Sequence, residues 1–386
     1  MTAPDVSGSA KTAGVTAPEA FQIPSLDGIR AFSFLIVFVA HAGLGTIVPG
    51  YVGLTVFFFL SGYLITTLLR MELDRHGSIS LKQFYLRRTL RIFPPMYLVL
   101  AVACAVPLLG WVRGSVHATT VLVQAAHLTN YYIIRHGWWD GIAPGTWVYW
   151  SLAVEEHFYL VFPLLYIAMT RYLPSRRRQA ATLLGLSLAV LAWRCVLVFG
   201  LHASKDRVYL ASDTRVDSIL FGCILALWRN PMLDTDGFDD KALKRTWLPF
   251  GIVVFLASLV VRVPEFEQTL RYSLQGGALI PIFVACIRWH DRGFGRLLNW
   301  RPVRYVGVVS YSLYLMHTSL LWAFEERSTL PRLVRGPLAF AILMVLAALM
   351  HRYVEKPCAR LRREITRLMG PEATRAGRTG AKPMAA

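Results

Sequence analysis

YVGLTVFFFLSGYLITTLL, residues 51–69, is a run of 19 residues without a charge. Wound as an α-helix it is about 28 Å long, close to the ~30 Å hydrocarbon layer of a bilayer. The stretch is therefore read as a membrane span. Nine more apolar runs surround it, roughly at 31–48, 93–112, 147–170, 182–201, 216–228, 246–261, 272–287, 305–324 and 336–352. Most reach the length a crossing needs; 216–228 is the short one. Residues 116–134 (VHATTVLVQAAHLTNYYII) hold two His, a Gln and an Asn. They are expected as a partly buried or re-entrant segment rather than an eleventh span.

The expected fold is thus all-α, a polytopic transmembrane bundle of about ten helices. Composition agrees: of 386 residues 55% are hydrophobic and only 17% charged, against about 25% charged in soluble domains. The 41 Lys and Arg exceed the 23 Asp and Glu by 18. With the N-terminus inside, inward loops and tails carry 30 basic residues and outward loops 10, Arg194 alone lying in a span. That bias predicts both termini on the cytoplasmic side. It also argues against nucleic acid, because the charge is spread over loops. The five cysteines (104, 195, 223, 286 and 358) form no CxxC pair, so neither a disulfide framework nor a zinc site is indicated. Residues 1–25 have no apolar core, are not a signal peptide, and are expected as a disordered tail. Residues 26–364 form the membrane domain, and 365–386 are expected as a disordered basic tail.

Ionisable groups deep in a span usually face the bundle interior and mark function. In SLDGIRAFSFLIVFVAHAG, Arg30 and His41 are eleven residues apart. At roughly 100° and 1.5 Å per residue they share a face about 16 Å apart. Arg30 then sits at the cytoplasmic mouth, within reach of Asp27, and His41 near mid-depth. WSLAVEEHFYL brings Glu155 and Glu156 to a similar depth, with room for one of them to point inward. SYSLYLMHTSL does the same for His317, with Ser310 and Tyr314 on the same helix. Each has a plainer reading: an interfacial Arg, a packing His. Three helices reaching one depth favour acid–base chemistry, for which imidazole and carboxylate suit. In FYLRRTLRIFPP, Arg88 and Arg91 are i,i+3 neighbours and Arg87 projects elsewhere. With Arg30 they can hold phosphates or simply fix topology and touch anionic lipid. Arg215 and Asp217 are expected at an outer mouth, as acceptor contacts or as a structural ion pair. Arg194 needs a partner the sequence does not name. Glu355 and Pro357 are expected to cap the last helix. Trp111, Trp138, Trp139 and Trp322 are candidates for the interfacial aromatic belt.

LDGIRA with His41, GLTVFFFLSGYLI, FYLRRTLRIFPP, WSLAVEEHFYL, RVDSILFG, SYSLYLMH and VEKP follow one another in this order. The set resembles the acyltransferase 3 family, bacterial membrane-bound O-acyltransferases of about ten helices, over residues 22–360. The resemblance implies a multi-pass protein of the bacterial inner membrane. It would use cytoplasmic acyl-CoA, by default acetyl-CoA, to acylate a sugar hydroxyl on a polysaccharide or glycolipid, or on a natural product such as a macrolide. It maps an essential Arg–His pair onto Arg30 and His41, an acyl-CoA-binding pair onto Arg88 and Arg91, and a catalytic glutamate onto Glu155. His41 is expected as general base, or as a transient acyl carrier, with Glu155 orienting it. His317, Tyr314, Ser310, Arg215, Asp217 and Glu156 are expected as acceptor or structural support. No metal is implied. Some members carry an SGNH hydrolase-like domain after the last helix, for which this chain is expected to have no room. A proton-coupled transporter or flippase is the rival class, weakened by the absence of an inverted repeat; a structural scaffold is a third. A soluble-type HxxxxD acyltransferase is disfavoured because that motif is absent. Oligomeric state is not legible.

Overall fold

The computed structural model of the protein describes residues 23–234 and 236–368. The expected tails up to residue 22 and beyond residue 368 lie outside the described residues. Among the described residues there is no strand. Helix α1 (Leu26–Val39) runs on through a π turn at Ala40–Leu44, and α2 (Gly50–His76) and α3 (Leu81–Leu108) follow. Two short helices, α4 (Ala118–Ala125) and α5 (Thr129–His136), fill the ambiguous segment, which is therefore not a continuous span. Next come α6 (Tyr149–Tyr172), α7 (Arg176–Cys195), the short α8 (Lys205–Leu210) and α9 (Ser212–Trp228). A single turn, α10 (Asp240–Ala242), leads to α11 (Leu248–Val260), α12 (Pro264–Gln268) and α13 (Leu270–Arg288). The chain closes with α14 (Gly293–Leu298), α15 (Arg301–Val308), α16 (Ser310–Arg327), α17 (Arg332–Met350), a π turn at His351–Glu355 and α18 (Lys356–Leu368).

A helix stands at every apolar run. Eight helical segments among the described residues are long and apolar enough to cross a membrane. The helices at the remaining two runs, α9 and α16, fall outside that set. Helix α9 has 17 residues, and α16 ends in Glu325, Glu326 and Arg327. Helix α9 is buried along nearly its whole length, so it is the central post of the bundle. Its seam with α2 depends on two glycines. A Cβ on Gly62 would stand 1.9 Å from the Ile219 carbonyl oxygen, and one on Gly222 1.9 Å from that of Phe59. Small residues at such a seam let backbones touch, which replaces the hydrophobic drive that lipid removes. Helices α7, α11 and α17 line the rim, where leucines, valines and Phe250 are exposed for lipid.

The start of α1, the end of α2, the start of α3 and α18 gather at one end, rich in arginine. Helices α1 and α16 run from this basic end toward the far end, and α6 runs back. Two boundaries differ from expectation. Residues 23–25 already belong to the fold: the Ser25 amide donates to Asn299 Oδ1 (3.0 Å) and its hydroxyl to the Cys286 carbonyl (2.7 Å). Helix α18 also continues through residues 365–368, assigned above to the tail. Nor does Glu355 cap a helix end. The helix passes straight through it, and its carboxylate accepts from the Ser312 hydroxyl (2.5 Å) and pairs with His351 Nδ1 (2.7 Å).

Candidate active site

His41 lies in the π turn that ends the first helix, three residues short of its last residue, Leu44. It is therefore near the far end of its own helix rather than halfway along it. Such turns recur at functional sites. Here Gly43, at φ 107°, completes the distortion. His41 Nδ1 meets His317 Nε2 at 2.9 Å, and His317 Nδ1 meets the Tyr314 carbonyl oxygen at 2.7 Å. These two contacts fix the protons of the neutral pair. A carbonyl oxygen only accepts, so His317 carries its hydrogen on Nδ1 and its Nε2 holds a lone pair. His41 must then donate from Nδ1, which leaves the lone pair of His41 on Nε2. His317 is fully buried, while the His41 ring keeps an exposed side. Trp147 closes edge-on at 5.1 Å from the His41 ring centre. The result is an oriented base whose basic atom is turned away from its support.

Toward the basic end lies a cavity of about 100 Å³, walled by Arg30, Arg88, Glu155, Tyr159, Ser310 and Tyr314 among others. It continues into a vestibule of about 820 Å³ that shares Arg30, Arg88 and Arg91. Arg30 is tied to Asp27 at 3.0 Å, and Arg88 lies over the Tyr159 ring at 4.6 Å. Arg87, expected to project elsewhere, lines the same vestibule and is tied there to Glu72 at 2.7 Å. The cavity stops at Ser151 and Tyr314, whose hydroxyls are 2.6 Å apart. His317 follows Tyr314 by three residues on α16 and is not part of the cavity wall.

A family whose description reads "Acyltransferase domain", Acyl_transf_3, matches residues 23–352. The chain belongs to this acyltransferase family. It is 31% identical to YrhL of Bacillus subtilis (strain 168), named as a candidate peptidoglycan O-acetyltransferase, over 87% of this chain and 54% of that protein. It is 29% identical to the peptidoglycan O-acetyltransferase OatA of Listeria monocytogenes, over 87% of this chain and 55% of OatA. It is 28% identical to a candidate O-acetyltransferase of Staphylococcus aureus (strain COL), over 90% of this chain and 59% of the relative. The chain thus spans little more than half the length of the curated relatives it matches. No solved structure matches it.

Against this acyltransferase framework several expected contacts change. Glu155 does not orient His41: its carboxylate accepts from the Tyr159 hydroxyl at 2.9 Å and faces the arginine-lined cavity. The reason is axial. Ser151 and Tyr314 are level; Glu155 lies four residues beyond Ser151 toward the basic end, and His317 three residues beyond Tyr314 toward the far end. At about 1.5 Å per residue the two groups are ~10 Å apart in depth. Glu155 and Glu156 both line the cavity, since it spans the arc between them. Arg215 and Asp217 do not pair. Asp217 takes Arg194 at 2.7 Å, both fully buried, and accepts from Ser273. That names the partner Arg194 lacked in sequence. Arg215 is instead stacked on Tyr272, 3.7 Å from the ring centre, with Tyr209 and Phe58 near. Among the described residues no cluster of three or more His, Cys, Asp or Glu is arranged to hold a metal ion. Sequence reasoning missed Ser151, Trp147 and Tyr159. Only Tyr159 was within reach, as the i+4 neighbour of Glu155 on one helix face.

Proposed function

We propose that the protein is a membrane O-acyltransferase moving an acyl group, by default acetyl, from cytoplasmic acyl-CoA to a sugar hydroxyl of an envelope glycan. The observation that carries this reading is the Tyr314 carbonyl–His317–His41 relay, which leaves His41 Nε2 free as a base. In the reaction, Nε2 takes the hydroxyl proton as the sugar oxygen attacks the thioester carbonyl carbon. The C–S bond then breaks, and the coenzyme thiolate recovers the proton from Nε2. His317 accepts the His41 Nδ1 hydrogen bond throughout and spreads the imidazolium charge. Such a base contributes roughly 10²–10⁴-fold. Arg30, Arg88 and Arg91 bind the coenzyme phosphates at the basic end, where charge-assisted hydrogen bonds are strongest. Glu155 and Glu156 oppose that charge inside the cavity and keep the arginines spaced. The acyl arm reaches His41 by passing the Ser151–Tyr314 hydroxyl pair.

A glycan acceptor is supported by the two relatives named for peptidoglycan O-acetylation. Localisation in the inner membrane, with both termini in the cytoplasm, follows from the loop charge bias. The test is transfer of labelled acetyl from acetyl-CoA to peptidoglycan fragments and other glycans by the purified full chain in detergent, without a membrane gradient. Transfer that is lost in His41→Ala supports the proposal. Label that stays on coenzyme A with every acceptor, together with gradient-driven glycan movement in vesicles, overturns it in favour of a transporter.

A further inference from the structure

We propose that helix α18 forms a wall of the anion vestibule, and that Arg362 and Arg363 bind phosphate groups there together with Arg88 and Arg91. The coenzyme donor named here rests on the function proposed above.

Helix α17, the π turn and α18 form one rod, Arg332–Arg367, of 36 residues. At about 1.5 Å per residue it is ~54 Å long, far more than the ~30 Å a bilayer core takes up. The apolar part is α17, so α18 stands beyond the core at the basic end. It is held there. Ser312 on α16 donates to Glu355, and His351 pairs with the same carboxylate one turn before α18 begins. Helix α18 then packs along α3.

The consequence is a concentration of charge. Eight arginines line the vestibule: Arg30, Arg75, Arg87, Arg88, Arg91, Arg362, Arg363 and Arg367. The carboxylates on the same wall are Asp27 and Glu72, already paired with Arg30 and Arg87. Among the described residues the other six form no salt bridge, and the nearest further carboxylates, Glu155 and Glu156, face Arg88 and Arg91 from the inner cavity. Arg362 is half-buried and feels the charges of Arg91, Arg363 and Arg87. Guanidinium groups drawn from four helices around about 820 Å³ repel one another unless an anion sits between them. The space and the fork geometry suit a ligand with several phosphates, because arginine binds each one bidentately. Two sources offer that chemistry: a soluble nucleotide-type coenzyme, or the headgroups of anionic lipids.

The experiment uses the full chain in nanodiscs of pure phosphatidylcholine, titrated with free coenzyme A by calorimetry. R362Q/R363Q is expected to weaken coenzyme A binding about tenfold or more, the worth of one charge-assisted contact. R362K/R363K should recover part of the loss. R360Q is the control: it lies on the same helix but is not part of the vestibule wall, so binding should be unchanged. Wild-type affinity in R362Q/R363Q, alongside loss in R88Q/R91Q, overturns the role of α18 and leaves the donor reading intact. Wild-type protein that ignores coenzyme A, but retains phosphatidylglycerol by native mass spectrometry in an Arg362- and Arg363-dependent way, overturns the donor reading and keeps the phosphate contact.

Discussion

At the scale of single residues, proton placement decides the chemistry. Two hydrogen bonds fix both tautomers, so the assignment is directly measurable. In ¹⁵N-histidine-labelled protein at neutral pH, His317 and His41 should each appear as the Nδ1–H tautomer, with Nε2 unprotonated. An Nε2–H tautomer at His41 would mean its basic atom is buried against His317, and the proposed base would fail. His41→Ala in a correctly inserted protein should lower kcat about 10²–10⁴-fold with little change in donor affinity. Arg88→Lys with Arg91→Lys should rescue only part of what the double alanine loses, because lysine keeps the charge but not the fork. Much at this scale was readable in advance. Arg30, His41, His317 and the two glutamates stood out as charges in apolar runs, and each lies in or beside the site. What could not be read was which of them meet. The His41–His317 contact joins residues 276 positions apart, and no helical periodicity reports on a tertiary approach of that kind. Helical spacing puts Glu155 and His41 at a similar depth only when each is counted along its own helix, from Arg30 for His41 and from the end of an apolar run for Glu155. Those starting points are not helix ends: α6 begins at Tyr149 and the first helix stops at Leu44.

At the scale of helices, the seam between α2 and α9 governs stability. The Gly62 and Gly222 contacts leave no volume for a methyl group. Gly62→Ala should therefore force the helices apart, at a cost of about 1–3 kcal/mol or more. It should lower the unfolding temperature in detergent by several degrees. A matched change at Gly185, mid-helix in α7 with nothing within 4 Å, should be neutral or slightly stabilising. A second seam ties the basic end. Arg70 on α2 donates to both Asp234 oxygens, one at 2.8 Å, and to the Ala226 carbonyl of α9 at 3.0 Å. Burial pushes the Asp234 carboxyl up, but the Arg70 hydrogen bonds and the Asn230 amide outweigh it and hold it below its ordinary range. A carboxylate depressed in the folded state stabilises above its unfolded pKa, about 3.9, and that contribution fades as pH falls through the folded value. Thermal stability should thus drop below about pH 4, and Asp234→Asn should flatten that part of the profile. Sequence patterning located both helices but not this seam. The short run at 216–228 gave no sign that it would be the most enclosed helix, because uniform apolarity looks the same against lipid and against protein.

At the scale of the whole molecule, the donor open to the protein depends on which face of the membrane the arginines meet. A soluble polyanionic donor can reach the vestibule only if the basic end is cytoplasmic. The loop bias of 30 to 10 predicts this, since cytoplasmic loops gather Lys and Arg. The same orientation puts α8, which follows the outward turn after α7, on the opposite face. Cysteine scanning separates the two arrangements. In a chain whose five native cysteines are replaced, Lys205→Cys on α8 should react with a membrane-impermeant maleimide in spheroplasts. Asp236→Cys, in the loop between α9 and α10, should react only after permeabilisation. Both positions are exposed in the fold, so unequal labelling reports sidedness rather than burial. The opposite pattern would put the arginine vestibule outside, away from cytoplasmic thioesters. In that orientation the anion held by Arg88, Arg91 and α18 would have to come from the outer leaflet or the envelope, and His41 would open toward the cytoplasm. The acceptor chemistry would then have to be intracellular, which glycan analysis of the cell envelope with and without the gene distinguishes from surface acetylation.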